Sequence, residues 1–337
     1  MWLVRYRQLG KTDLTVSEVG FGVWTVSTGW WGKVDKPDAI KLLRDALEAG
    51  VTLFDTADTY GEGFGEEVLR EALGKRRHEI LIGTKFGYDI DAPRDGPHKE
   101  RPQCWDSEFV RKACDDSLRR LGTDYIDLWQ LHNPRIDTVM NDELFALLDD
   151  LKHEGKIRHF GTALGPDIGW KDEGDASIAE RDVATMQVIY SIIEQQPARS
   201  FFEAAREHRT GLLARVPHAS EILTDQFADQ ETVTFDASDH RAHRKREWLD
   251  RAFRKRDLVL FVAGETGRTL AQAAIQFALA EPSIAAVLPN IVTGDQLREY
   301  AGATEVAPLA ADELAELNRL YDEEFAALEE IQPQRTT

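Results

Sequence analysis

Short apolar runs alternate with amphipathic segments along almost the whole chain. The first apolar run is EVGFGVW at 18–24, and PDAIKLLRDALEAG at 37–50 places Leu43 and Leu47 on one helical face before Gly50. Apolar residues that recur every three or four positions are typical of a helix with one buried side, and glycine commonly follows its last turn. The pattern therefore predicts a strand at 18–24 and a helix that packs on it.

The same alternation continues to the end of the chain and predicts eight strands. They cover 18–24, 51–55, 79–87, 125–132, 156–164, 185–191, 211–217 and 283–289. Strands that alternate with helices form a parallel sheet covered by its crossovers. Eight such units favour a closed (β/α)8 TIM barrel over an open doubly wound sheet. We expect one barrel domain over residues 1–337, with an extra acidic C-terminal helix, ADELAELNRLYDEEF.

The composition disfavours several classes of function. A net charge of −19 over 337 residues opposes binding to nucleic acid or to an anionic membrane. No apolar run reaches the roughly 18 residues of a membrane span, and MWLVRYRQLG lacks the apolar core of a signal peptide. Cys104 and Cys114 lie about 15 Å apart if they share one helix, too far for a disulfide. We expect reduced thiols in a cytoplasmic protein, monomeric or weakly oligomeric, that acts on a small molecule.

Polar side chains stand where three predicted strands end. Asp55 and Tyr60 follow the second strand, Lys85 ends the third and His132 ends the fourth. The carboxyl ends of barrel strands face one mouth, where active sites of such enzymes lie. An ammonium beside a phenol favours the phenolate, a carboxylate keeps that ammonium charged, and a histidine can orient a carbonyl oxygen. Together they form a proton donor for an oxygen that gains negative charge, as carbonyl reduction by hydride requires.

The chain resembles the aldo-keto reductase superfamily over nearly its whole length. The resemblance is carried by YRQLGKTDLTVSEVGFGVW, AGVTLFDTADTYG, TKFG, SLRRLGTDYIDLWQLHNP, LKHEGKIRHFG and LPNIVTGDQLRE. It implies a barrel closed at its bottom by an N-terminal β-hairpin, and an NADP cofactor bound extended, with NAD not excluded. It also implies that Tyr60 is the general acid, Lys85 its activator, Asp55 the lysine's partner and His132 the residue that orients the carbonyl of an aldehyde or ketone.

The same resemblance implies a wider set of binding residues. Cofactor contacts are expected from Val23, Trp24, Asp55, Thr162, Gln187, Arg215, Pro289, Asn290, Thr293, Gln296 and Tyr300. Substrate contacts are expected from Trp24, Trp31, Tyr60 and His132. For Trp30 and Trp31, packing in a lid and lining the substrate wall both stay open.

The cofactor residues depart from the pattern of the superfamily. Ala163 and Leu164 stand where Ser-Asn holds the nicotinamide carboxamide, and Arg215 replaces the aromatic ring that stacks on the nicotinamide. Asn290 and Ile291 stand where many members carry a cation for the 2′-phosphate of NADPH. A charge-assisted bond to phosphate contributes about 1.5–3 kcal/mol. We therefore expect a relaxed preference, with dissociation constants for NADPH and NADH within about thirtyfold of each other.

Several motifs have weaker functional interpretations. GEGFGEE at 61–67 enters a helix as a dinucleotide fingerprint would, but Glu66 stands where its third glycine belongs. Asp58 is assigned to a turn or to the helix entry. Neither H-E-x-x-H nor a cysteine pair accompanies His240 and His243, so no metal site is predicted.

The long irregular stretch at 224–245 ends in the basic segment DHRAHRKRE at 239–247. That segment is either a solvated turn or, as the resemblance implies for this loop, a contact for the cofactor pyrophosphate. Two other functions stay open for the barrel: a nucleotide-binding sensor with little turnover, and a redox-neutral lyase or isomerase.

Overall fold

A computed structural model describes residues 4–93, 100–166, 170–227, 246–264 and 267–326. Most of the predicted loop at 224–245 and of the basic segment at 239–247 therefore lies outside the described residues. The last two residues of that basic segment, Arg246 and Glu247, already belong to a helix. The single-domain organisation over 1–337 stays a prediction.

The described residues form ten strands, eight of which are the strands predicted for the barrel. They are Tyr6–Gln8 (β1), Thr15–Ser17 (β2), Phe21–Gly22 (β3), Leu53–Asp55 (β4), Leu81–Phe86 (β5), Ile126–His132 (β6), Ile157–Ala163 (β7), Thr185–Ile189 (β8), Gly211–Arg215 (β9) and Ile284–Leu288 (β10).

Strands β3 to β10 make one parallel sheet in chain order, and this sheet closes on itself. Val19, just before β3, forms a parallel bridge with Val287 of β10. The Gly20 amide donates to the Val287 carbonyl at 2.8 Å, and the Val287 amide donates to the Glu18 carbonyl at 2.8 Å. The predicted (β/α)8 TIM barrel is confirmed.

Twelve α-helices lie within the described residues, mostly around the outside of the barrel. They are Trp24–Ser27 (α1), Lys36–Glu48 (α2), Phe64–Leu73 (α3), Ser107–Leu121 (α4), Ile136–Val139 (α5), Asp142–His153 (α6), Lys171–Ala179 (α7), Ala198–His208 (α8), Arg246–Leu258 (α9), Leu270–Leu279 (α10), Gly294–Ala301 (α11) and Ala311–Leu320 (α12). The predicted C-terminal helix is α12, which a π-helical turn at Tyr321–Phe325 extends.

The ends of α4 show how local sequence sets these elements. Asp106 caps the helix, because its side chain accepts a hydrogen bond from the Phe109 amide at 3.0 Å. Gly122 ends it in the left-handed region, at φ 64°. Cys104 precedes this helix and Cys114 lies inside it, and both are free thiols. Across the described residues, no helix combines the length and the apolar character needed to span a bilayer.

The hairpin of β1 and β2 closes one end of the barrel, as the sequence resemblance implies. The two strands pair antiparallel, and the loop between them carries Leu9 and Leu14 into the barrel interior. Both side chains are buried, at 1% and 2% exposure. They pack with Leu53, Leu128 and Leu213, which belong to three different barrel strands. The hairpin therefore fills the barrel at the end opposite the carboxyl ends of its strands.

We expect Leu9→Ala to lower the free energy of unfolding by about 2–5 kcal/mol, because the cavity would open at the centre of this cluster. Urea unfolding of the purified variant measures the loss. Leu258→Ala is the matched control, since the Leu258 side chain is 49% exposed. Equal unfolding midpoints for the two variants would contradict the structural role of the hairpin.

Candidate active site

The barrel register brings three of the predicted residues to one rim. Asp55 is the last residue of β4, Lys85 the last but one of β5, and His132 the last of β6. These strands are consecutive neighbours in the sheet. Tyr60 follows in the turn between β4 and α3, where the Gly65 amide donates to its carbonyl at 2.9 Å. The four side chains predicted to act together are therefore adjacent.

Lys85 is the centre of this group. Its ammonium donates to Asp55 Oδ1 at 2.5 Å, to the Thr56 carbonyl at 2.8 Å and to the Tyr60 hydroxyl at 3.1 Å. Burial by itself lowers the pKa of Lys85, but the neighbouring Asp55 and Tyr60 outweigh it, and the pKa is raised. Lys85 therefore carries a full charge at neutral pH. Because the Tyr60 oxygen accepts from the ammonium, the Tyr60 proton can point toward the mouth of the barrel.

Two glutamines hold the other oxygen of Asp55. Gln130 donates to Asp55 Oδ2 at 3.0 Å and Gln187 donates to it at 2.9 Å. Gln187 was expected to contact the cofactor, and in this structure its amide group holds the carboxylate of Asp55. Gln130 was not singled out from the sequence. The available signal was its position two residues before His132, on the same face of a buried strand.

His132 lies between two tyrosine rings. Its ring centroid is 6.0 Å from that of Tyr60 and 5.1 Å from that of Tyr88, with both contacts near perpendicular. Burial first, and then the positive charges of Lys85 and Arg215, hold the pKa of His132 well below its ordinary value. The imidazole is therefore neutral at pH 7. Its Nδ1 atom is buried without a hydrogen-bond partner. A neutral imidazole with its proton on Nε2 suits the role of a hydrogen-bond donor toward the mouth of the barrel.

Three tryptophans form an aromatic wall beside Tyr60. The Trp24 ring centroid lies 6.4 Å from that of Tyr60, and those of Trp30 and Trp31 each lie 6.0 Å from that of Trp24. Trp24 was predicted to line the pocket, and its ring lies beside that of Tyr60. Trp30 and Trp31 pack on Trp24, so both belong to one wall.

Two residues that depart from the superfamily pattern contact each other, Leu164 directly after β7 and Arg215 at the end of β9. The Arg215 guanidinium donates to the Leu164 carbonyl at 2.7 Å. Burial lowers the pKa of Arg215, and the nearby Tyr60 and Asp55 oppose that effect. Thr162 Oγ1 and Arg215 Nε are both buried without a hydrogen-bond partner. Buried polar atoms of this kind are costly unless a ligand or water satisfies them, so the rim fits a bound amide or another polar group.

The remaining residues predicted to contact the cofactor lie at the start of α1, directly after β10 and along α11. The Val23 amide donates to the Asp55 carbonyl at 2.8 Å. Pro289 and Asn290 follow β10 directly, whereas Thr293 and Gln296 form the capping box that begins α11. Tyr300 lies further along that helix, at 1% exposure.

Glu221 joins Asn290 and Tyr300, and it was not singled out from the sequence. Asn290 Nδ2 donates to Glu221 Oε1 at 3.0 Å, and the Tyr300 hydroxyl lies 3.4 Å from Glu221 Oε2. The signal in the sequence was a glutamate among small and apolar residues, ASEIL at 219–223.

Behind Lys85 lies a second buried ionic group. Glu66 accepts from Arg120 Nε at 2.6 Å and from Thr84 Oγ1 at 2.7 Å. Its carboxylate therefore has a structural partner, and the residue does not belong to a dinucleotide fingerprint. Asp58 lies in the turn before α3, and burial, followed by the charge of Glu66, raises its pKa well above the ordinary value. Among the described residues, no three histidine, cysteine or acidic side chains come together as metal ligands would.

Known proteins resemble this chain over nearly its whole length. It is 30% identical over 317 residues to the uncharacterised oxidoreductase YqkF of Bacillus subtilis (strain 168), which covers 93% of this chain and 95% of that protein. It is 25% identical over 350 residues to a probable voltage-gated potassium channel subunit beta of Oryza sativa subsp. japonica, with 99% of both chains covered.

A solved structure of a known enzyme also resembles this chain over nearly its whole length. The holo form of an aldo-keto reductase from Bacillus halodurans is 30% identical and superposes with a TM-score of 0.74, covering 94% of this chain and 96% of that one. The family model for aldo/keto reductases matches residues 18–322. With the rim geometry and these matches together, the chain belongs to the aldo/keto reductase family.

Proposed function

We propose that this chain reduces an aldehyde or a ketone to an alcohol, with Tyr60 as the proton donor. The observation that carries the proposal is the contact of the Lys85 ammonium with the Tyr60 hydroxyl at 3.1 Å. When bound, a nicotinamide dinucleotide supplies the hydride. NADP is the cofactor expected from the resemblance, and NAD also meets the chemical requirement.

The residues of the rim divide the remaining work. His132 donates from Nε2 to the carbonyl oxygen and positions it beside Tyr60. The oxygen gains negative charge as its carbon is reduced, and it takes the proton of the Tyr60 hydroxyl. The tyrosinate that remains is stabilised by the Lys85 ammonium, which Asp55 holds in place. A proton from water then restores Tyr60, so charge and atoms balance over one turnover.

The binding of the dinucleotide is assigned to residues around the same rim. Thr162 and Arg215 are the residues we assign to the nicotinamide end, because each has a buried polar atom without a partner. Gln187 lies on β8, between the strands that carry these two residues. Trp24 begins α1 after β3, and Asn290 and Tyr300 follow β10. Trp24 and Trp31 are proposed to contact the substrate, along with Tyr60 and His132.

Tyr60→Phe tests the proton donor. We expect kcat for carbonyl reduction to fall by about 10²–10⁴-fold, because only the proton donor is lost. Cofactor affinity, measured by fluorescence titration, should stay within about threefold by the same reasoning. Tyr88→Phe is the matched control, since the Tyr88 hydroxyl contacts Glu100 and Asn133 instead of Lys85. A Tyr60→Phe enzyme with more than about a tenth of wild-type kcat would contradict the assignment.

Lys85→Met tests the activating charge. We expect a comparable loss of kcat and a shifted or missing limb in the pH–rate profile, because the tyrosinate would lose its countercharge. The variant would also leave Asp55 buried without its cation, which typically costs about 3–5 kcal/mol of stability.

The double variant Asp55→Asn/Lys85→Met separates the two effects. It should recover much of the lost stability, as urea unfolding reports, yet remain inactive. Recovery of activity together with stability would show that Lys85 serves only to hold the fold.

The neutral His132 can be tested through the pH dependence of stability. Its folded-state pKa lies below the unfolded value of about 6.5, so below that pH the unfolded chain binds a proton that the folded chain does not. The free energy of unfolding should therefore fall as pH drops below 6.5. The slope contributed by this group should approach roughly 1.4 kcal/mol per pH unit.

The slope is measured by urea unfolding of wild type, His132→Asn and His78→Asn. The measurements run between pH 7.5 and 5, roughly the window set by the unfolded-state pKa of histidine. His132→Asn should lower the slope by the contribution of about one proton, and His78→Asn, at an exposed position, is the control. Identical slopes in all three proteins would mean that His132 titrates normally.

A second candidate function is a nucleotide-binding sensor with little turnover. The altered residues at 163–164 and 215 favour it, as does the similarity to a channel subunit. Turnover with a panel of aldehydes and ketones decides between the two, because a sensor would bind the dinucleotide but oxidise it slowly or not at all.

A further inference from the structure

Gln130 is a fully buried side chain beside the ion pair of Lys85 and Asp55. It lies on β6 and pairs in register with Lys85 of β5. Its amide donates to Asp55 Oδ2 at 3.0 Å, whereas the Lys85 ammonium donates to Asp55 Oδ1. An ionised carboxylate only accepts hydrogen bonds, so the nitrogen of the amide must face Asp55. Gln130 therefore holds the carboxylate oxygen that the ammonium does not use.

A glycine on the intervening strand makes this contact possible. Asp55 belongs to β4 and Gln130 to β6, so β5 lies between them. Gly83 of β5 stands beside Asp55 in the register. A Cβ atom at Gly83 would lie 3.4 Å from both Asp55 Oδ2 and Gln130 Nε2. A side chain larger than a methyl group would therefore point into the hydrogen bond, and the glycine keeps open the gap that the amide crosses.

The amide of Gln130 also leaves one polar atom unsatisfied. Among the described residues, its Oε1 atom is buried without a hydrogen-bond partner, and a buried acceptor without a partner is destabilising. An apolar side chain of similar length would avoid that effect. Gln187 already donates to the same oxygen of Asp55 at 2.9 Å, so the carboxylate would keep one donor without Gln130. Packing alone therefore does not explain an amide at this position.

The contacts of Lys85 give the amide an electrostatic role. The ammonium donates both to Asp55 and to the Tyr60 hydroxyl, the latter at 3.1 Å. The carboxylate and the tyrosinate formed in the proposed reaction therefore compete for one cation. An amide that stabilises the charge of Asp55 weakens the hold of the carboxylate on the ammonium. Because the protein interior screens charge poorly, the ammonium then stabilises the tyrosinate more strongly.

We propose that Gln130 is a positioning residue for the proposed reduction, which acts through Asp55 and Lys85 on the proton donor Tyr60. The inference rests on the proposed function, because it requires Tyr60 to give up its proton during turnover. The Gln130 side chain is at 0% exposure and reaches the reaction only through Asp55. Its contribution therefore belongs to the transition state and not to the binding of substrate or cofactor.

Gln130→Met tests this role, because methionine keeps the length of the side chain and removes the donor. We expect kcat and kcat/KM for carbonyl reduction to fall together by about tenfold, with KM within about threefold of wild type. The basic limb of the pH–rate profile should move to higher pH by about half a pH unit or more, because Tyr60 becomes a weaker acid when its tyrosinate is less stabilised. A residue that served only packing would leave that limb in place.

Gln195→Met is the matched control. Gln195 is equally buried, and its amide donates to the Ile192 carbonyl at 3.2 Å instead of to a group of the rim. The substitution removes a buried amide in the same way. It should leave kcat within about twofold of wild type and the basic limb where it is.

Gln130→Glu gives a second test with the same side-chain shape. The new carboxyl can donate to Asp55 only while it is protonated, and once ionised it repels that carboxylate. We expect kcat of this variant to approach that of wild type at the acidic end of the profile and to fall steeply as pH rises. The profile should therefore gain a limb that wild type lacks. Thermal unfolding verifies that each variant is folded.

The outcomes separate this inference from the proposed function. If wild type reduces no aldehyde or ketone of the panel with either dinucleotide, the proposed function fails and this inference fails with it. If wild type is active but Gln130→Met keeps its kcat and its basic limb, only the role of Gln130 is overturned. A Gln130→Glu profile parallel to that of wild type would overturn it as well. So would failure of both variants to fold, because the amide would then serve only the stability of the barrel.

Discussion

The buried ion pair of Lys85 and Asp55 is the constraint on which the rest of the rim depends. An ammonium at 1% exposure is costly unless its protons find acceptors. All three of them do, at Asp55, the Thr56 carbonyl and Tyr60. Removing Asp55 would leave the ammonium charge buried without its countercharge. Chemistry and folding therefore constrain the same group of atoms.

That constraint explains why these residues of the rim could be predicted from the sequence. Asp55, Lys85 and His132 end strands that are neighbours in the sheet, so an apolar run followed by a polar residue is both a structural and a chemical signal. Strand positions were also predictable, because each depends on residues close in sequence, whereas the hairpin was implied by the resemblance to a known family.

What sequence reasoning missed depends on contacts between distant parts of the chain. Gln130 lies 75 positions from the carboxylate it holds, and Glu221 lies 69 positions from Asn290. No local pattern records such a pair. The short helix α1 was absorbed into the predicted first strand and its loop, because a single turn with three aromatic or β-branched residues has no periodicity to detect. The contact of Arg215 with the Leu164 carbonyl likewise links two changes that look independent in the sequence.

The bridge between Val19 and Val287 has a consequence for biosynthesis. The two strands that close the barrel come from opposite ends of the chain. During translation, the edge of β3 therefore waits unpaired until almost the whole protein has left the ribosome. Native contacts of such long range also slow folding, and an uncovered strand edge invites association with other chains. The hairpin of β1 and β2, made first, is well placed to cover apolar surface at the barrel's base during that interval.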